Sequence, residues 1–229
     1  MPTPSEWEIL ALSLKVAFWG LAASLPPAIA VAFLLARKDF PGKTLFDAVV
    51  HLPLVLPPVV VGFALLVLFG TQGPIGRLLE PLGVVLVFRW TGAAVAAAIM
   101  GFPLLVRAIR LAIEAVDTRL ELAARTLGAG PVRVFFTVTL PLAFSGVVTG
   151  GLLSFARALG EFGATITFVS NIPGETQTLP LAIYTATQSP GGDAQALRLS
   201  VFSVALSLAS LAIAEWLARG RGARANLHA

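Results

Sequence analysis

The chain has 229 residues, of which 57% are hydrophobic and only 12% charged, and its mean hydropathy is +0.88. A soluble globule of this size cannot hide so much apolar surface, because many of its residues must face water. The net charge of +4 is carried by basic residues that fall between apolar runs, which favours membrane topology over nucleic-acid binding, and the absence of cysteine excludes disulfides, zinc–thiolate sites and thiol catalysis.

Five apolar stretches approach the length needed to cross a membrane, which is about 20 residues for a hydrocarbon core of roughly 30 Å. They are residues 9–35, 49–69, 91–106, 140–160 and 199–217. Each is predicted to be a helix, because in lipid every backbone polar group must be satisfied within its own segment. The sequence therefore predicts an all-α integral membrane protein, with residues 1–229 forming a single transmembrane domain.

The second stretch is interrupted by Pro53, Pro57 and Pro58. These prolines predict a bend, and they are either candidate hinge residues or static kinks tolerated by neighbouring helices. Residues 164–169 and 179–187 are apolar but too short to span alone. We expect them to form a re-entrant segment or an external cap, although a sixth crossing here is the alternative.

Orientation is predicted from lysine and arginine, which concentrate in cytoplasmic loops. Alternate connections divide into a basic set and a set with only Arg77, Arg89 and Arg198. The basic set holds Arg37, Lys38, Lys43, Arg107, Arg110, Arg119, Arg125, Arg133, Arg219, Arg221 and Arg224. We therefore expect an external N-terminus, a cytoplasmic C-terminus and an odd number of crossings, which five satisfies.

The connection over residues 117–141 predicts a compact helical knob on the cytoplasmic face. Asp117 is suited to cap a helix that continues to about residue 127. Gly128 and the residues up to Gly130 then break it, since glycine reaches positive φ without a Cβ penalty. Pro131 suits the first turn of a second short helix. A basic connector lying on the membrane surface is the simpler alternative.

Spacing in this knob resembles the Glu-Ala-Ala loop of ABC importer permeases. The resemblance is carried by Ala123, Ala124, Gly128, Ala129 and Pro141. It implies that the loop docks in a groove of an ATPase subunit, with Glu121 and Leu122 in the docking segment. Glu121 stands one position before the family's usual glutamate, where this chain has Leu122, so docking is expected to depend on shape more than on one salt bridge.

Four further stretches resemble the permease subunits of molybdate transporters, and the resemblance covers almost the whole chain. They are residues 51–62, 102–110, 156–166 and 170–178. Sulfate and thiosulfate permeases share much of residues 160–163 and are the alternative. The resemblance implies a prokaryotic inner-membrane protein, a second copy of this chain, two ATPase copies and an external molybdate-binding protein, with membrane lipid around it and no nucleic-acid partner.

Two groups of polar residues are candidates for the translocation path. Arg157 and Glu161 stand one helical turn apart near the outer end of the fourth stretch, and charges at membrane depth usually face a cavity or an interior. A mutually neutralising structural pair is the alternative. Hydroxyl and amide groups near the outer mouth are a second set, which loop capping would also explain: Thr165, Thr167, Ser170 and Asn171.

No catalytic site, cofactor or metal site is expected. The chain lacks a phosphate-binding G-x-x-x-x-G-K-[ST] loop, so ATP hydrolysis is assigned to a partner. Two histidines are too few for a histidine-built metal site, and no nucleophile–base set is evident. The alternative from a different class is a secondary transporter that uses Glu161 to couple transport to protons.

Overall fold

The structure, a computed structural model, describes residues 3–225 and the side chains of residue 3 and residues 5–213. All regular secondary structure in the described residues is helical, with no strands. The helices are α1 (Pro4–Arg37), α2 (Lys43–Val55), α3 (Pro58–Phe69), α4 (Pro74–Leu79), α5 (Trp90–Glu114), α6 (Thr118–Thr126), α7 (Pro131–Val134), α8 (Leu140–Leu142), α9 (Phe144–Leu159), α10 (Gly163–Val169), α11 (Leu179–Thr187) and α12 (Asp193–Ala225). A 3₁₀ turn spans Glu80–Leu82 and a π-helical segment spans Phe135–Thr139.

The prediction of an all-helical membrane protein is confirmed. Three described helices, α1, α5 and the part of α12 up to Ile213, are long and apolar enough to cross a membrane. Two bent pairs bring the number to five if each pair is one span. The basic side chains predicted beyond this point, from Arg219 to Arg224, lie outside the described side chains.

Contacts along the helices show that α1 and α5 run in the same direction. The Lys15 ammonium lies 3.7 Å from the Trp90 ring centroid at one end, and Arg37 bonds the Val116 carbonyl at the other. Helix α9 runs the opposite way, since Gly146 near its start approaches Ala108 while Ser154, further along α9, approaches the earlier α5 residue Gly101. We call the end that carries residues 117–141 the knob end, and the other the far end.

The second predicted span is not one straight helix. It is divided at Leu56, and α2 and α3 meet at 113°. Pro57 is the N-cap of α3 and Pro58 its first residue, while Pro53 lies within α2. With 13 and 12 residues, the two helices rise only about 20 Å each at 1.5 Å per residue. Together they return the chain from the knob end to the far end.

Helices α10 and α11 form a cap at the far end. They have 7 and 9 residues, so neither crosses a layer of roughly 30 Å. The Ser13 hydroxyl accepts a 2.7 Å hydrogen bond from the Leu179 amide, which fixes α11 beside the first part of α1. The region therefore lies at the far end, as the cap interpretation predicts, and does not add a sixth crossing.

Close backbone contact holds α10 against α3. A Cβ built on Gly62 would lie 2.5 Å from the Ala164 carbonyl oxygen, and one on Gly163 would lie 2.8 Å from Pro58 Cβ. Only glycine permits this approach. Helix α3, which begins just after the sharp turn at Leu56, therefore packs against a helix about a hundred residues later in the sequence.

Candidate functional site

The knob has the local structure that its sequence predicts. The Asp117 side chain caps α6 by accepting a 2.9 Å hydrogen bond from the Arg119 amide. Helix α6 ends one residue before the predicted boundary, and Gly128 follows at φ +85°. The Gly128 amide closes the turn on the Arg125 carbonyl, and Pro131 opens α7.

The second half of the knob differs from a plain helix. Residues 135–139 adopt π-helical hydrogen bonding, in which the Leu140 amide reaches back to the Phe135 carbonyl. Pro141 then lies in the three-residue α8, and the chain bends by 67° before α9. Such wide turns usually mark functional positions in helices.

Apolar side chains cover the outer surface of the knob. Leu122, Leu127, Val132 and Phe136 are all exposed, with Leu127 89% accessible. Ala123 is exposed and Ala124 and Ala129 are half-buried between them. We call the four large side chains the apolar knob face. Large apolar side chains exposed together on one segment make it a candidate interaction site.

Glu121 points away from this face. It is 8% exposed, and its Oε1 atom accepts from Arg37 Nε at 3.2 Å, from Arg37 Nη2 at 3.1 Å and from the Thr139 hydroxyl at 2.8 Å. The same Nη2 atom also donates to the Val116 carbonyl at 2.9 Å. The adjacent Leu122 is 58% exposed, so the position at which the resemblance expects a glutamate carries an exposed apolar side chain in this chain.

A second charged cluster lies at the knob end between α2 and α5. Arg110 pairs with Asp47 at 3.1 Å and with Glu114 at 2.8 Å, and the His51 ring approaches Asp47 at 3.1 Å. Together with Arg107, these residues line a cavity of about 310 Å³. Arg110 thus balances the charge of Glu114, which lies one helical turn further along α5.

At the far end, Arg157 and Glu161 form the predicted pair. Arg157 Nη1 lies 2.6 Å from Glu161 Oε2, and the Glu161 side chain is 2% exposed. The other carboxylate oxygen accepts a 2.8 Å hydrogen bond from the Ala164 amide. Glu161 thus satisfies the start of α10 and neutralises Arg157, whose side chain remains 29% exposed.

The remaining candidate path residues lie close by in two different environments. Thr165 is buried, and the Thr167 hydroxyl donates to the Gly163 carbonyl. Ser170 is exposed and has φ +64° and ψ −162°, a positive-φ conformation that is adopted almost only by glycine and is found at strained, often functional positions. The Asn171 amide donates to the Thr185 hydroxyl, while its Oδ1 atom is buried without a hydrogen-bond donor.

The sequence did not predict the hydrogen-bond partners of Glu121 and Asn171. Nothing local in the sequence pairs Glu121 with Arg37 and Thr139, or Asn171 with Thr185. Arg37 and Glu121 are 84 positions apart, and a single sequence gives no local signal for such a pair. The displaced glutamate was the only hint that its side chain has a different partner.

Comparisons with known proteins match this chain over nearly all its length. Residues 28–222 match the family described as "Binding-protein-dependent transport system inner membrane component". The "Molybdenum transport system permease protein ModB" of Escherichia coli K12 is 61% identical over 95% of each chain, and that of Haemophilus influenzae is 56% identical over 93% of this chain and 94% of its own. The "Sulfate transport system permease protein CysW" of Synechococcus elongatus is 42% identical over 68% of this chain and 54% of its own.

Two solved structures share the fold. The inward-facing MetNI methionine ABC transporter is 18% identical, with a TM-score of 0.69 over 94% of each chain. A bacterial alginate ABC transporter in complex with its pentasaccharide-bound periplasmic protein is 15% identical, with a TM-score of 0.74 over 95% of this chain and 79% of the other. At these identities the likeness concerns the arrangement of helices alone.

Proposed function

Because the chain belongs to the family of binding-protein-dependent transport system inner membrane components, we propose that it is the permease subunit of an ATP-driven importer for molybdate. The resemblance to ABC importer permeases predicted from the sequence is confirmed by this membership. The proposal that molybdate is the substrate rests on 61% identity, over 95% of both chains, to a molybdenum transport system permease protein. The sulfate relative matches less well and over a smaller share, 42% over 68% of this chain.

The knob is the proposed docking element for a separate ATPase, because its outward surface is apolar and its backbone is fixed by a cap and a glycine turn. Leu122, Leu127 and Phe136 offer area that is favourable to bury, and Ala123 and Ala124 allow a close approach between them. Glu121 supports the knob from within and leaves docking to shape and apolar contact. ATP hydrolysis takes place in the partner.

Arg157 is the residue that we propose the oxyanion contacts as it passes the far end. Its guanidinium is partly exposed and paired with a buried carboxylate, so its attraction for a divalent anion is moderated and release stays fast. Ser170 and Asn171 add hydrogen-bonding groups at the other end of α10. An external binding protein would deliver molybdate to this end, and two copies of the chain with two ATPases would complete the importer.

The knob end is proposed to be cytoplasmic and the N-terminus external. The chain has no cysteine, so a single introduced cysteine reports its own side of the membrane. We expect Gln72→Cys to react with an impermeant maleimide in spheroplasts, and Asp39→Cys to react only in inverted vesicles. The reverse pattern would contradict the orientation.

The alternative of a proton-coupled carrier rests on Glu161 exchanging protons. One oxygen of that carboxylate accepts from the Ala164 amide, and the other forms an ion pair with Arg157 without a hydrogen bond. A carboxylate held in this way serves as a structural acceptor. This geometry favours the ATP-driven importer, in which no titration of Glu161 is required.

Reconstitution tests the proposed function. The permease, its ATPase and the binding protein would be placed in proteoliposomes with radiolabelled molybdate, tungstate or sulfate. We expect molybdate uptake that requires ATP inside and the binding protein outside. Sulfate uptake without molybdate uptake would contradict the substrate, and uptake driven by a proton gradient without ATP would contradict the mechanism.

A further inference from the structure

The contacts of Glu121 join four parts of the chain at the knob end. Arg37 is the last residue of α1, Val116 follows α5, Glu121 belongs to α6 and Thr139 ends the π-helical segment. Three donor atoms converge on the single oxygen Glu121 Oε1, at 2.8 to 3.2 Å. We call these four residues the knob junction.

Burial makes the junction stiff. The side chains of Arg37 and Glu121 are 14% and 10% exposed, and Thr139 is 1% exposed. Hydrogen bonds to charged groups are stronger than neutral ones, and leaving such a group buried without its partner is costly. The planar guanidinium also fixes direction, because it donates to the carboxylate and to the Val116 carbonyl at once.

We propose that Arg37 and Thr139 are positioning residues for ATP coupling, which hold the knob to the end of α1 through the Glu121 carboxylate. The proposal rests on the proposed function of the knob as the ATPase-docking element. A knob that moves with the ATPase then carries α1 with it. Without these bonds, α6 would be held to the rest of the chain by its two ends and by its packing against α7 and the π-helical segment.

Helix α1 reaches from this junction to the far end. Its other terminus carries an ion pair of the same form, in which Arg198 Nε and Nη2 both donate to Glu6 Oε1, at 3.2 and 3.1 Å. Glu6 is fully buried. The Arg37–Glu121 and Glu6–Arg198 pairs lie at opposite ends of one 34-residue helix, which is about 50 Å long at 1.5 Å per residue. Only the Arg37–Glu121 pair involves the knob.

The test compares Arg37→Gln with Arg198→Gln in proteoliposomes that contain the ATPase and the binding protein. ATP hydrolysis and radiolabelled molybdate uptake are measured on the same assembled complex. For Arg37→Gln we expect hydrolysis to persist while molybdate imported per ATP falls about tenfold, because the charged bond that holds the knob to the end of α1 is lost. Arg198→Gln likewise leaves a buried carboxylate, Glu6, without its partner, but it does so away from the knob, so molybdate imported per ATP should stay within about twofold of the wild type.

A second pair of variants separates positioning from folding. Thr139→Ser keeps the hydroxyl and should preserve the uptake ratio, whereas Thr139→Val keeps the volume, loses the donor and should lower the ratio about fivefold. The proposal is overturned if Arg37→Gln and Thr139→Val reduce only the amount of assembled complex, with normal uptake per ATP in what assembles. It is equally overturned if Arg198→Gln lowers the ratio as much as Arg37→Gln. Failure of the unmodified chain to bind any ATPase would instead refute the proposed function.

Discussion

Docking of the knob should depend on the backbone conformation of one glycine. Gly128 has φ +85°, and a Cβ built on it meets no atom within 4 Å. Gly128→Ala therefore introduces backbone strain without a steric clash. Holding an L-residue in the left-handed region costs roughly 1–2 kcal/mol. The exposed turn can relax when the knob is free, so this strain appears when the partner enforces the native turn.

A strain of roughly 1–2 kcal/mol corresponds to a factor of about 5 to 30 in an equilibrium constant. We expect the affinity of the ATPase for the permease to fall by that factor in Gly128→Ala, measured by biolayer interferometry on permease in nanodiscs. Gly128→Asn should lose less, since asparagine tolerates the left-handed region. Gly128→Pro should lose most, because it forbids positive φ and removes the amide that bonds the Arg125 carbonyl.

Gly130 provides the matched control. It stands two positions away, is equally exposed, and a Cβ built on it also meets no atom within 4 Å. Its φ is −67°, which any residue adopts. Gly130→Ala should therefore bind the ATPase as the unmodified chain does. Equal losses at both positions, or no loss at Gly128, would refute the assignment of docking to the turn geometry.

Two further substitutions should affect stability rather than docking. Gly62→Val should lower the melting temperature of the purified permease by separating α3 from α10, because its Cβ would lie 2.5 Å from the Ala164 carbonyl oxygen. Ser13→Ala should destabilise the native state by about 1–3 kcal/mol, because it leaves the buried Leu179 amide without an acceptor. Thermal unfolding followed by circular dichroism in detergent measures both.

Each of these substitutions has a control elsewhere in the chain. Gly151→Ala should be tolerated, since its nearest neighbours are flexible leucine side-chain atoms at 3.9 Å. Ser210→Ala should cost little, because that hydroxyl only donates to a carbonyl of its own helix. Melting temperatures that do not separate Gly62→Val from Gly151→Ala, or Ser13→Ala from Ser210→Ala, would contradict the packing and hydrogen-bond reasoning respectively.

The sequence predicts the knob well because its signals are local. Asp117, Gly128 and Pro131 each act on the backbone within a few residues, through a cap, a left-handed turn and a helix start. The structure shows all three at the predicted positions. Helix existence in the apolar stretches is predictable for a related reason, since lipid requires each segment to satisfy its own hydrogen bonds.

The angle between α2 and α3 and the partners of Glu121 depend on residues far apart in the sequence, so they could not be predicted. The prolines after Leu56 indicate a bend, but its size of 113° is matched to the contact between Gly62 and Ala164, which are far apart in sequence. The partner of Glu121 could not be identified for the same reason. The candidate path residues therefore stay predictions, while their hydrogen bonds indicate which of them are already committed to holding the fold.

The π-helical segment makes the knob sensitive to chain length. A helix repeats every 3.6 residues, so one added or removed residue rotates everything beyond it by about 100°. The wide turn over Phe135–Thr139 orients the helix so that Thr139 bonds Glu121 while Phe136 is exposed. A one-residue deletion that restores regular α-helix here would turn the apolar knob face by about a quarter of a revolution relative to α9. The π-helical segment therefore fixes the angle at which the knob faces its partner protein, and a one-residue change in the length of this segment would change that angle.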